Sequence, residues 1–571
     1  MNRFRRPWLV LGLVAFLLSG CSRGGTDRGQ EARAGGGQKS PAAAKGNDIA
    51  PADRSALADG GTLRWPIDQM PPNFNYHEVD GTLADNADVI QAMMPAVFDF
   101  DAAAQPILKK DYVESAELTQ TSPKQVITYR INPKAAWDDG RPITVADFEA
   151  QWKALRGTDD RFKVSSTQGY DKMESVARGS DDREVIVTMK TPYADWQALF
   201  SPLFPASTNG DPAVFNDGWK EKPLTTGGPF RLEGIDRTAQ TITLVRNEKW
   251  WGRSAKLDRI IFRVIEGDAQ IDALANNEID FMGTGSDVNK LQRARSIKGA
   301  VLRRALAPKF NHLTINGTSE LLKDTDVRRA LAMSIDRQTI AKALLGPLGL
   351  PPVPLQNHIF MANQKGYQDN AGAVAYDPAK ARQLLEGAGW KLAGPTRMKA
   401  GKELALRLVL PTQSAVGKQI AELIQTMTQA VGIKVNLEVV PGADLFEKYV
   451  TPGNFDLVIF AWLGTPFPIS SAKSIYAKPK PKPDGSLEIQ QNYARVGSDE
   501  IDRLFDQATA TLDPDKAIEI GNRIDALIWD EVHSLTLYQG TGTVAIKENL
   551  ANFGAFGFAS VIYEDIGFRK A

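Results

Sequence analysis

The sequence predicts an α/β protein with more than one hydrophobic core. The chain has 571 residues, enough for two to four units of ordinary domain size. Hydrophobic residues make up 43% of the chain and charged residues 24%, as in ordinary globular proteins. Segments with strand-type alternation are separated by segments with helical spacing along most of the chain. Together these observations disfavour a disordered or fibrous protein.

The N-terminus has the pattern of an export signal. Three of the first six residues are arginine, and the apolar run Trp8–Leu18 is too short to cross about 30 Å of hydrocarbon as a helix. The run leads into Leu18-Ser19-Gly20-Cys21, which resembles a bacterial lipobox and implies lipidation of Cys21. We expect residues 1–20 to be a lipoprotein signal peptide; the alternative is an uncleaved apolar start with an accidental cysteine.

Residues 21–57 are predicted to be a flexible tether. This stretch is rich in Gly, Ala, Ser and charged residues and has few large apolar side chains. A lipid on Cys21 followed by such a tether would hold the folded body near the extracytoplasmic face of the cell membrane.

The folded body begins with a strand at Thr62–Ile67 and a helix at Ala84–Phe98. Thr144 can cap a following helix. Further elements follow the same alternating order: strands at Gln125–Ile131, Val185–Met189, Thr241–Val245 and Ile260–Ile265, and a helix at Asp268–Asn277.

Six segments, in this order, resemble the bacterial extracellular solute-binding proteins of family 5, which include oligopeptide- and dipeptide-binding proteins of ABC importers. They are YRINPKAAWDDGRPITVADF (129–148), TTGGPFRLEG (225–234), VRNEKWW (245–251), EIDF (278–281), DVRRALAMSIDRQTI (326–340) and YDPAKARQLLEGAGW (376–390). The resemblance rests on all six segments in this order. The resemblance covers the chain from about Gly61 to its C-terminus.

The resemblance implies a two-lobed, periplasmic-binding-protein-like fold of type II, in the peptide-binding cluster, with an extra subdomain in the N-terminal lobe. Crossings between the lobes are expected near Leu306–Phe310 and Leu535–Gln539. The expected boundaries are 58–105, 220–308 and 537–571 for lobe I, 106–219 for the inserted subdomain, and 309–536 for lobe II.

The function implied by the resemblance is capture of a peptide or related small solute by closure of the two lobes. The closed protein would then deliver the solute to the permease subunits of an ABC importer. We expect a monomeric binding protein with no catalytic residues, cofactor or metal.

On lobe II, the resemblance points to the loop after the predicted strand Phe455–Phe460 as a wall of the cleft. Trp462 matches a tryptophan that the family often carries there, whereas Thr465 stands where the family often has an aspartate that pairs with a peptide's α-ammonium group. Trp462, Thr465 and Phe467 are the candidate ligand contacts, and a purely structural role is the alternative.

On lobe I, the loop QMPPNFNYHEV (69–79) corresponds to a cleft-facing segment of the family. Asn75, Tyr76 and His77 are the candidate ligand contacts in this loop. For the lone His77, a surface or core role is the competing interpretation.

Two motifs are predicted to be structural. In DVRRALAMSIDR, the apolar residues Val327, Leu331 and Ile335 recur at helical spacing and should face a core, while Arg328 and Arg329 lie along the outer face. Trp250 and Trp251 are predicted to fill a core or an interdomain gap.

Other function classes have little support. Lys plus Arg equals Asp plus Glu at 68 each, which disfavours a nucleic-acid partner. Four scattered histidines and one cysteine give no zinc framework. An exported lipid-anchored hydrolase and a non-transport scaffold lipoprotein remain as alternatives.

Overall fold

The structure is a computed structural model that describes residues 46–570 except Gln413, Ala443 and Asp484. The predicted signal peptide, Cys21 and residues 21–45 of the predicted tether lie outside the described residues. None of the helices in the described part combines the length and apolar character needed to cross a membrane.

Strands and short helices alternate through the first half of the described chain. The strands are β1 Thr62–Ile67, β2 Phe98–Phe100, β3 Pro106–Leu108, β4 Val113–Gln120, β5 Val126–Ile131, β6 Met173–Arg178, β7 Glu184–Met189, β8 Phe230–Asp236, β9 Thr241–Arg246, β10 Arg259–Val264, β11 Phe281–Gly283 and β12 Ala300–Arg303. The helices are α1 Ala84–Gln91, α2 Val145–Leu155, α3 Ala206–Asn209, α4 Gln270–Ala275 and α5 Val288–Arg295.

The second half contains longer helices. Its strands are β13 Leu306–Ile315, β14 Lys391–Ala393, β15 Thr396–Lys399, β16 Lys402–Glu403, β17 Ala405–Pro411, β18 Lys434–Val440, β19 Leu457–Leu463, β20 Lys480–Pro481, β21 Leu487–Glu488, β22 Ser534–Thr541, β23 Val544–Lys547, β24 Leu550–Ala551 and β25 Gly567–Phe568. Its helices are α6 Thr325–Met333, α7 Arg337–Leu345, α8 Pro378–Gly387, α9 Ala415–Gln429, α10 Pro468–Tyr476, α11 Asp499–Ala510 and α12 Pro514–Glu531.

Lobe I is built on a four-stranded sheet with the order β1-β10-β9-β8, in which β1 and β10 run parallel. Alternate residues of β1 are buried, as its sequence predicts. A second sheet, with the order β4-β5-β7-β6, forms the inserted subdomain. One continuous core joins the two, because Trp65 of the first sheet and Tyr129 of the second belong to the same hydrophobic cluster.

Lobe II is built on a five-stranded sheet with the order β18-β17-β19-β13-β22 and has its own hydrophobic core. Strand β17 is parallel to β18 and β19, whereas β13 is antiparallel to β19 and β22. The predicted two-lobed α/β fold is confirmed.

The chain passes between the lobes twice, within one pair of antiparallel segments. Arg303 pairs with Val544 in a lobe I sheet, and Leu306 pairs with Thr541 in the lobe II sheet. The passages therefore lie at 304–305 and 542–543. The crossings were predicted near Leu306–Phe310 and Leu535–Gln539, which lie within strands β13 and β22. Residues 537–541 were predicted to belong to lobe I, whereas this end of β22 belongs to the lobe II sheet. Strand β22 is buried along its whole length, so no change in pattern marks a boundary there.

Residues 46–57 correct the predicted extent of the tether. Asp48 and Ala555 exchange backbone hydrogen bonds of 2.8 and 3.0 Å, and Leu57 is fully buried. Arg54 forms an ion pair of 2.6 Å with Asp565. This segment is packed against the C-terminal residues of lobe I, and its few apolar residues were too sparse to reveal this.

The helix around Arg328 confirms one packing prediction and corrects another. Its apolar residues Val327, Leu331 and Ile335 are buried, as their spacing predicts. Arg328 is also buried, although it was expected on the outer face. Its guanidinium donates to the carbonyl oxygens of Leu322, Lys323 and Glu531, the last residue of α12. Carbonyl groups at the C-terminal end of a helix lack intrahelical hydrogen-bond donors, and Arg328 supplies a donor to the carbonyl of Glu531.

The structure agrees with two further predictions, the packing of Trp250 and Trp251 and the helix cap at Thr144. Trp250 is 8% exposed, and the rings of Trp250 and Trp251 lie 4.4 Å apart beside Tyr112 of the inserted subdomain. Helix α2 begins after Thr144 with a capping box, in which the Thr144 amide donates to Asp147 at 2.9 Å.

Candidate binding cleft

A cleft of about 420 Å³ lies between the two lobes, beside the passages of the chain. Lobe I contributes the loop after β11 and the start of α5. Lobe II contributes β13, β19, β22 and the N-terminal turn of α9. The lining residues are Gly283, Thr284, Gly285, Ser286, Asp287, Lys290, Lys309, Asn311, Ser414, Val416, Gly417, Ile459, Phe460, Ala461 and Tyr538.

Strand β19 presents an open edge at this cleft. It pairs with β13 along its whole length, but with β17 only at Leu457 and Val458. The Gly464 amide donates to the Pro308 carbonyl at 2.8 Å, and hydrogen bonding alternates along an antiparallel ladder. The backbone groups of Ala461 and Leu463 therefore point away from β13. Among the described residues no strand pairs with that edge beyond Val458.

Trp462 forms an aromatic wall on the other face of the same strand. Its ring lies parallel to His312 at 5.9 Å and to Tyr493 at 5.8 Å. The Trp462 side chain is half-buried. Burial lowers the pKa of His312 to about 3, with a smaller effect from His358, so this imidazole is neutral. A fixed, neutral aromatic surface next to an open strand edge suits an apolar or aromatic ligand side chain.

Thr465 holds the turn before α10. Its hydroxyl accepts a hydrogen bond from the Phe467 amide at 3.2 Å and lies 3.0 Å from the Ser471 hydroxyl. Its carbonyl accepts from Gln364 Nε2 at 2.9 Å. Thr465 therefore shapes the loop that carries Phe467, and ligand contact by its hydroxyl stays a prediction.

Phe467 lies where the lobes touch. Its ring meets Phe100 of lobe I edge-on, with centroids 5.6 Å apart. Two hydrogen bonds also join the lobes: Ala194 N donates to Thr509 O at 2.9 Å, and Asn363 Nδ2 donates to Ala102 O at 2.8 Å. The structure therefore holds the lobes in contact.

Asn75 and His77 make packing contacts within lobe I, and ligand contact by either residue stays a prediction. Asn75 is fully buried, and its amide donates to Phe215 O at 2.9 Å. His77 Nε2 donates to Pro202 O at 2.9 Å, and burial lowers the pKa of His77 to about 4. Both side chains thus fasten their loop to the inserted subdomain. The sequence could not show this because their partners lie more than a hundred residues away.

Tyr76 is half-buried against the lobe I core, close to Asp88. Burial, with a contribution from the charge of Asp88, raises the pKa of Tyr76. Burial also raises the pKa of Asp88 to about 7, with a further increase from Asp85 and an opposing hydrogen bond from Trp65. Ligand contact by Tyr76 remains a prediction.

The polar residues that line the cleft, among them Lys309, Asn311 and Tyr538, were not predicted from the sequence. The available signal was the alternation of Lys309 and Asn311 with apolar residues along β13, which puts both side chains on one face. Within the described part of the chain, no group of His, Cys, Asp and Glu is placed to hold a metal ion.

A family model matches residues 106–482 of the chain, and its description is "Bacterial extracellular solute-binding proteins, family 5 Middle". The chain is also 41% identical over 580 aligned positions to the oligopeptide-binding protein OppA of Mycobacterium tuberculosis H37Rv. That alignment covers 99% of this chain and 95% of the relative.

Two solved structures are similar over nearly the whole fold. The periplasmic EDTA-binding protein EppA is 26% identical with a TM-score of 0.83, and the match covers 94% of this chain and all of EppA. The oligopeptide-binding protein AppA of Bacillus subtilis, solved with a nonapeptide, is 21% identical with a TM-score of 0.68. That match covers 90% of this chain and all of AppA, and at this identity it supports the fold alone.

Proposed function

Because the chain belongs to the bacterial extracellular solute-binding proteins of family 5, we propose that it binds oligopeptides in the cleft between its lobes and delivers them to an ABC importer. The observation that carries this proposal is the 41% identity to an oligopeptide-binding protein over 99% of the chain.

The open edge of β19 suggests how a peptide is bound. An extended peptide can add to the edge at Ala461 and Leu463, so that its backbone completes the ladder. Backbone pairing is independent of peptide sequence. Side chains then alternate between the Trp462 face and the cleft, which would give selectivity. This accounts for a receptor that accepts peptides of varied sequence.

Closure of the lobes couples binding to delivery. A peptide that contacts both lobes stabilises the closed form by its extra contacts there. The passages at 304–305 and 542–543 are the hinge in this proposal. Thr465 offers a hydroxyl where related proteins often carry an aspartate, so a peptide ammonium group gains no ion pair at that position.

The attachment proposed here is a lipid on Cys21, which holds the protein at the extracytoplasmic face of the cell membrane. The supporting observation is the lipobox-like sequence at the end of a short apolar run. The partners are the permease subunits of the importer, and the receptor acts as a monomer. No nucleic acid, metal or cofactor takes part, and the protein does not turn over its ligand.

Native mass spectrometry of the full-length protein, isolated from membranes in detergent, tests this function. The spectrum is recorded before and after unfolding and refolding that removes bound ligand. We expect a bound mass of peptide size that disappears on refolding and returns with cell extract.

Two results would count against this proposal. Consumption of the ligand over time would favour the exported hydrolase. Absence of any bound small molecule, together with unchanged scattering dimensions on adding extract, would favour the scaffold lipoprotein.

A further inference from the structure

We propose that a basic surface of lobe I, beside the start of the predicted tether, docks the folded body onto an anionic phospholipid membrane. This surface, called here the basic face, comprises Arg295, Lys298, Arg303 and Arg304. The proposal goes beyond peptide binding and rests on the proposed lipid at Cys21 for the position of the membrane. It adds an orientation of the body to that attachment.

Basic side chains are concentrated in one short segment of a chain that is neutral overall. Residues 288–304 contain six Lys and Arg residues and no Asp or Glu, whereas the whole chain has 68 residues of each sign. The segment forms helix α5, strand β12 and the turn between them, and the two elements contact each other. The charges therefore stay close together and produce a local positive field despite the zero net charge.

Two of these six cations are neutralised by neighbouring carboxylates. The ammonium group of Lys290 lies 2.8 Å from Asp268, and the guanidinium group of Arg293 lies 2.9 Å from Asp272. The other four cations are the basic face.

In the described part of the chain, one residue of the basic face has a carboxylate partner. Arg303 lies 3.4 Å from Asp48, and the other three residues of the basic face have no ion pair there. Glu548 comes near through its backbone, since its amide donates to Gly299 O at 2.9 Å, but its exposed carboxylate pairs with none of them. The basic face therefore carries a surplus of positive charge.

Arg304 has the surroundings that most favour an added anion. Its side chain is half-buried, and the Nε groups of Arg303 and Arg304 are buried without a hydrogen-bond partner among the described residues. Burial lowers the pKa of Arg304, the charge of Arg295 lowers it further, and Asp48 opposes both effects. Like charges that lie close together repel each other, so a phosphate group that contacts both guanidinium groups is stabilising.

The position of the basic face at the start of the tether selects the membrane as its partner. The Asp48 carboxylate accepts from the Arg304 amide at 3.1 Å and from Arg303 Nη1 at 3.4 Å. Residues 22–45 separate Cys21 from this part of the body, and a Gly-rich coil of that length spans about 27 Å in root mean square. A lipid on Cys21 would therefore keep the basic face near the bilayer, where electrostatic attraction acts over about 8–10 Å.

The predicted tether carries charge of the same sign. Residues 22–45 contain two acidic residues, Asp27 and Glu31, and five basic ones, which are Arg23, Arg28, Arg33, Lys39 and Lys45. Basic segments next to a lipid anchor are attracted to anionic lipids and strengthen the hold of the acyl chains. The tether and the basic face would thus be drawn to the same surface, which favours one orientation of the body.

Energy transfer to the bilayer tests the docking. Lipidated full-length protein is reconstituted into vesicles of phosphatidylcholine, with or without about 30% phosphatidylglycerol, that contain a trace of acceptor-labelled lipid. A donor dye is attached at Gln292→Cys on α5 or at Ala177→Cys on β6 of the inserted subdomain, and both positions are exposed. We expect at least twofold more transfer from the α5 label on the anionic vesicles, lost in about 0.5 M sodium chloride, and little change from the β6 label.

Charge variants assign the docking to the basic face. Arg295→Glu with Lys298→Glu should remove at least half of the transfer gained on anionic vesicles, because it reverses two uncompensated charges. Lys163→Glu with Lys190→Glu is the matched control and should keep most of that gain. Both control lysines are exposed in the inserted subdomain and form no ion pair in the described part of the chain. Neither double variant should alter the melting temperature or peptide binding by more than a small amount.

Equal transfer from the α5 label on neutral and anionic vesicles would overturn the docking and leave the lipid anchor intact. Equal losses in the two double variants would also overturn it, because overall charge would then be the cause. Suppression by inorganic phosphate, but not by sodium chloride of the same ionic strength, would mean a site for a free anion and not a membrane surface. Loss of the protein from neutral vesicles on flotation would refute the lipid anchor. Docking would then stand if the basic face still bound anionic vesicles and fail if it did not.

Discussion

At the scale of single residues, buried polar groups in lobe II hold β22 in place. Asp525 accepts hydrogen bonds from the His358 amide at 2.7 Å and from His358 Nδ1 at 2.8 Å, and Asn370 donates to its other oxygen. His358 Nε2 in turn donates to the carbonyl of Ser534, the first residue of β22. Both ionisable side chains of the pair are fully buried. This network therefore links the helices of lobe II to a strand that leads to the hinge.

Removing the buried carboxylate should be costly. Asp525→Ala would leave the two donors of His358 and one donor of Asn370 without acceptors, and we expect the free energy of unfolding to fall by about 3–5 kcal/mol in urea titrations. Asp506→Ala is the matched control, because its ion pair with Lys473 is exposed and should contribute less than about 1 kcal/mol. Equal effects of the two substitutions would contradict this interpretation.

The raised pKa of Asp88 predicts a pH dependence of stability. Its pKa is about 7 in the folded protein and 3.8 ordinarily, so the folded state binds more protons between these values. The contribution of Asp88 to stability should therefore fall as pH rises from about 4 to 7 and stay level above 7. Asp88→Asn should raise the free energy of unfolding at pH 8 by about 1–2 kcal/mol, since the half-buried side chain is partly screened.

Urea titrations at pH 4 and pH 8 check this prediction. The gain from Asp88→Asn should vanish near pH 4, where the parent carboxyl is largely protonated. A gain of the same size at both pH values would mean that ionisation of Asp88 is not its cause.

At the scale of elements, the open edge of β19 determines how the cleft is used. The sequence predicted this strand at Phe455–Phe460, whereas it runs from Leu457 to Leu463. Its last residues continue because they pair with Lys309 and Phe310, about 150 positions away in the chain. The alternation of residues along a segment does not show which distant strand it pairs with, so residues 461–463 were predicted as part of a loop.

A proline in the open edge should separate binding from folding. Ala461→Pro removes an amide that points away from β13, so the ladder between the two strands loses no hydrogen bond. We expect a loss of at least tenfold in affinity for the peptides found with the native protein, and a melting temperature within a few degrees of the parent. Phe460→Pro, which removes an amide that faces β13, should instead lower the melting temperature strongly. Unchanged affinity in the Ala461 variant would contradict peptide addition to this edge.

The elements with strong local patterns were predictable, and the cleft was not. Thr62–Ile67 was predicted with its observed ends, because its alternation coincides with one buried face. Lys309, Asn311 and Tyr538 were missed because they meet only when β13 pairs with β22, more than 200 residues later in the chain. The hydrogen bonds of Asn75 and His77 to the inserted subdomain could not be predicted for the same reason.

At the scale of the whole molecule, the lobes touch at several separate places. The inserted subdomain meets lobe II at Ala194 and Thr509, and the lobe I segments at Phe100 and Ala102 meet Phe467 and Asn363. A small apolar cluster also joins the lobes, with Ala104 and Phe558 of lobe I against Phe310, Leu355 and Met361 of lobe II. Together these contacts are small compared with the core of each lobe. They can therefore open without unfolding either lobe.

A disulfide across the lobes should trap the closed form. Ala194 N donates to Thr509 O at 2.9 Å, so the two backbones are close enough to test for a disulfide between cysteines at these positions. In the double variant Ala194→Cys with Thr509→Cys, oxidation of ligand-free protein should block binding, and reduction should restore it. Oxidation after loading should slow ligand release at least tenfold.

Each single-cysteine variant serves as a control, because Cys21 is the chain's own cysteine and the proposed lipid site. Equilibrium binding and release rates are measured with and without reductant. Normal binding by the oxidised, ligand-free double variant would show that the cleft does not need to open.

The pairing of Asp48 with Ala555 also sets an order of events during export. Lobe II is a continuous segment from Leu306 to Thr541, so all its strands are available once Thr541 has crossed the membrane. Lobe I begins earlier in the chain but needs residues 544–568 to complete its sheets and to cover the segment near Asp48. The lobe that is synthesised first therefore finishes folding last, and its incomplete sheet must be kept from pairing with other chains until the C-terminus arrives.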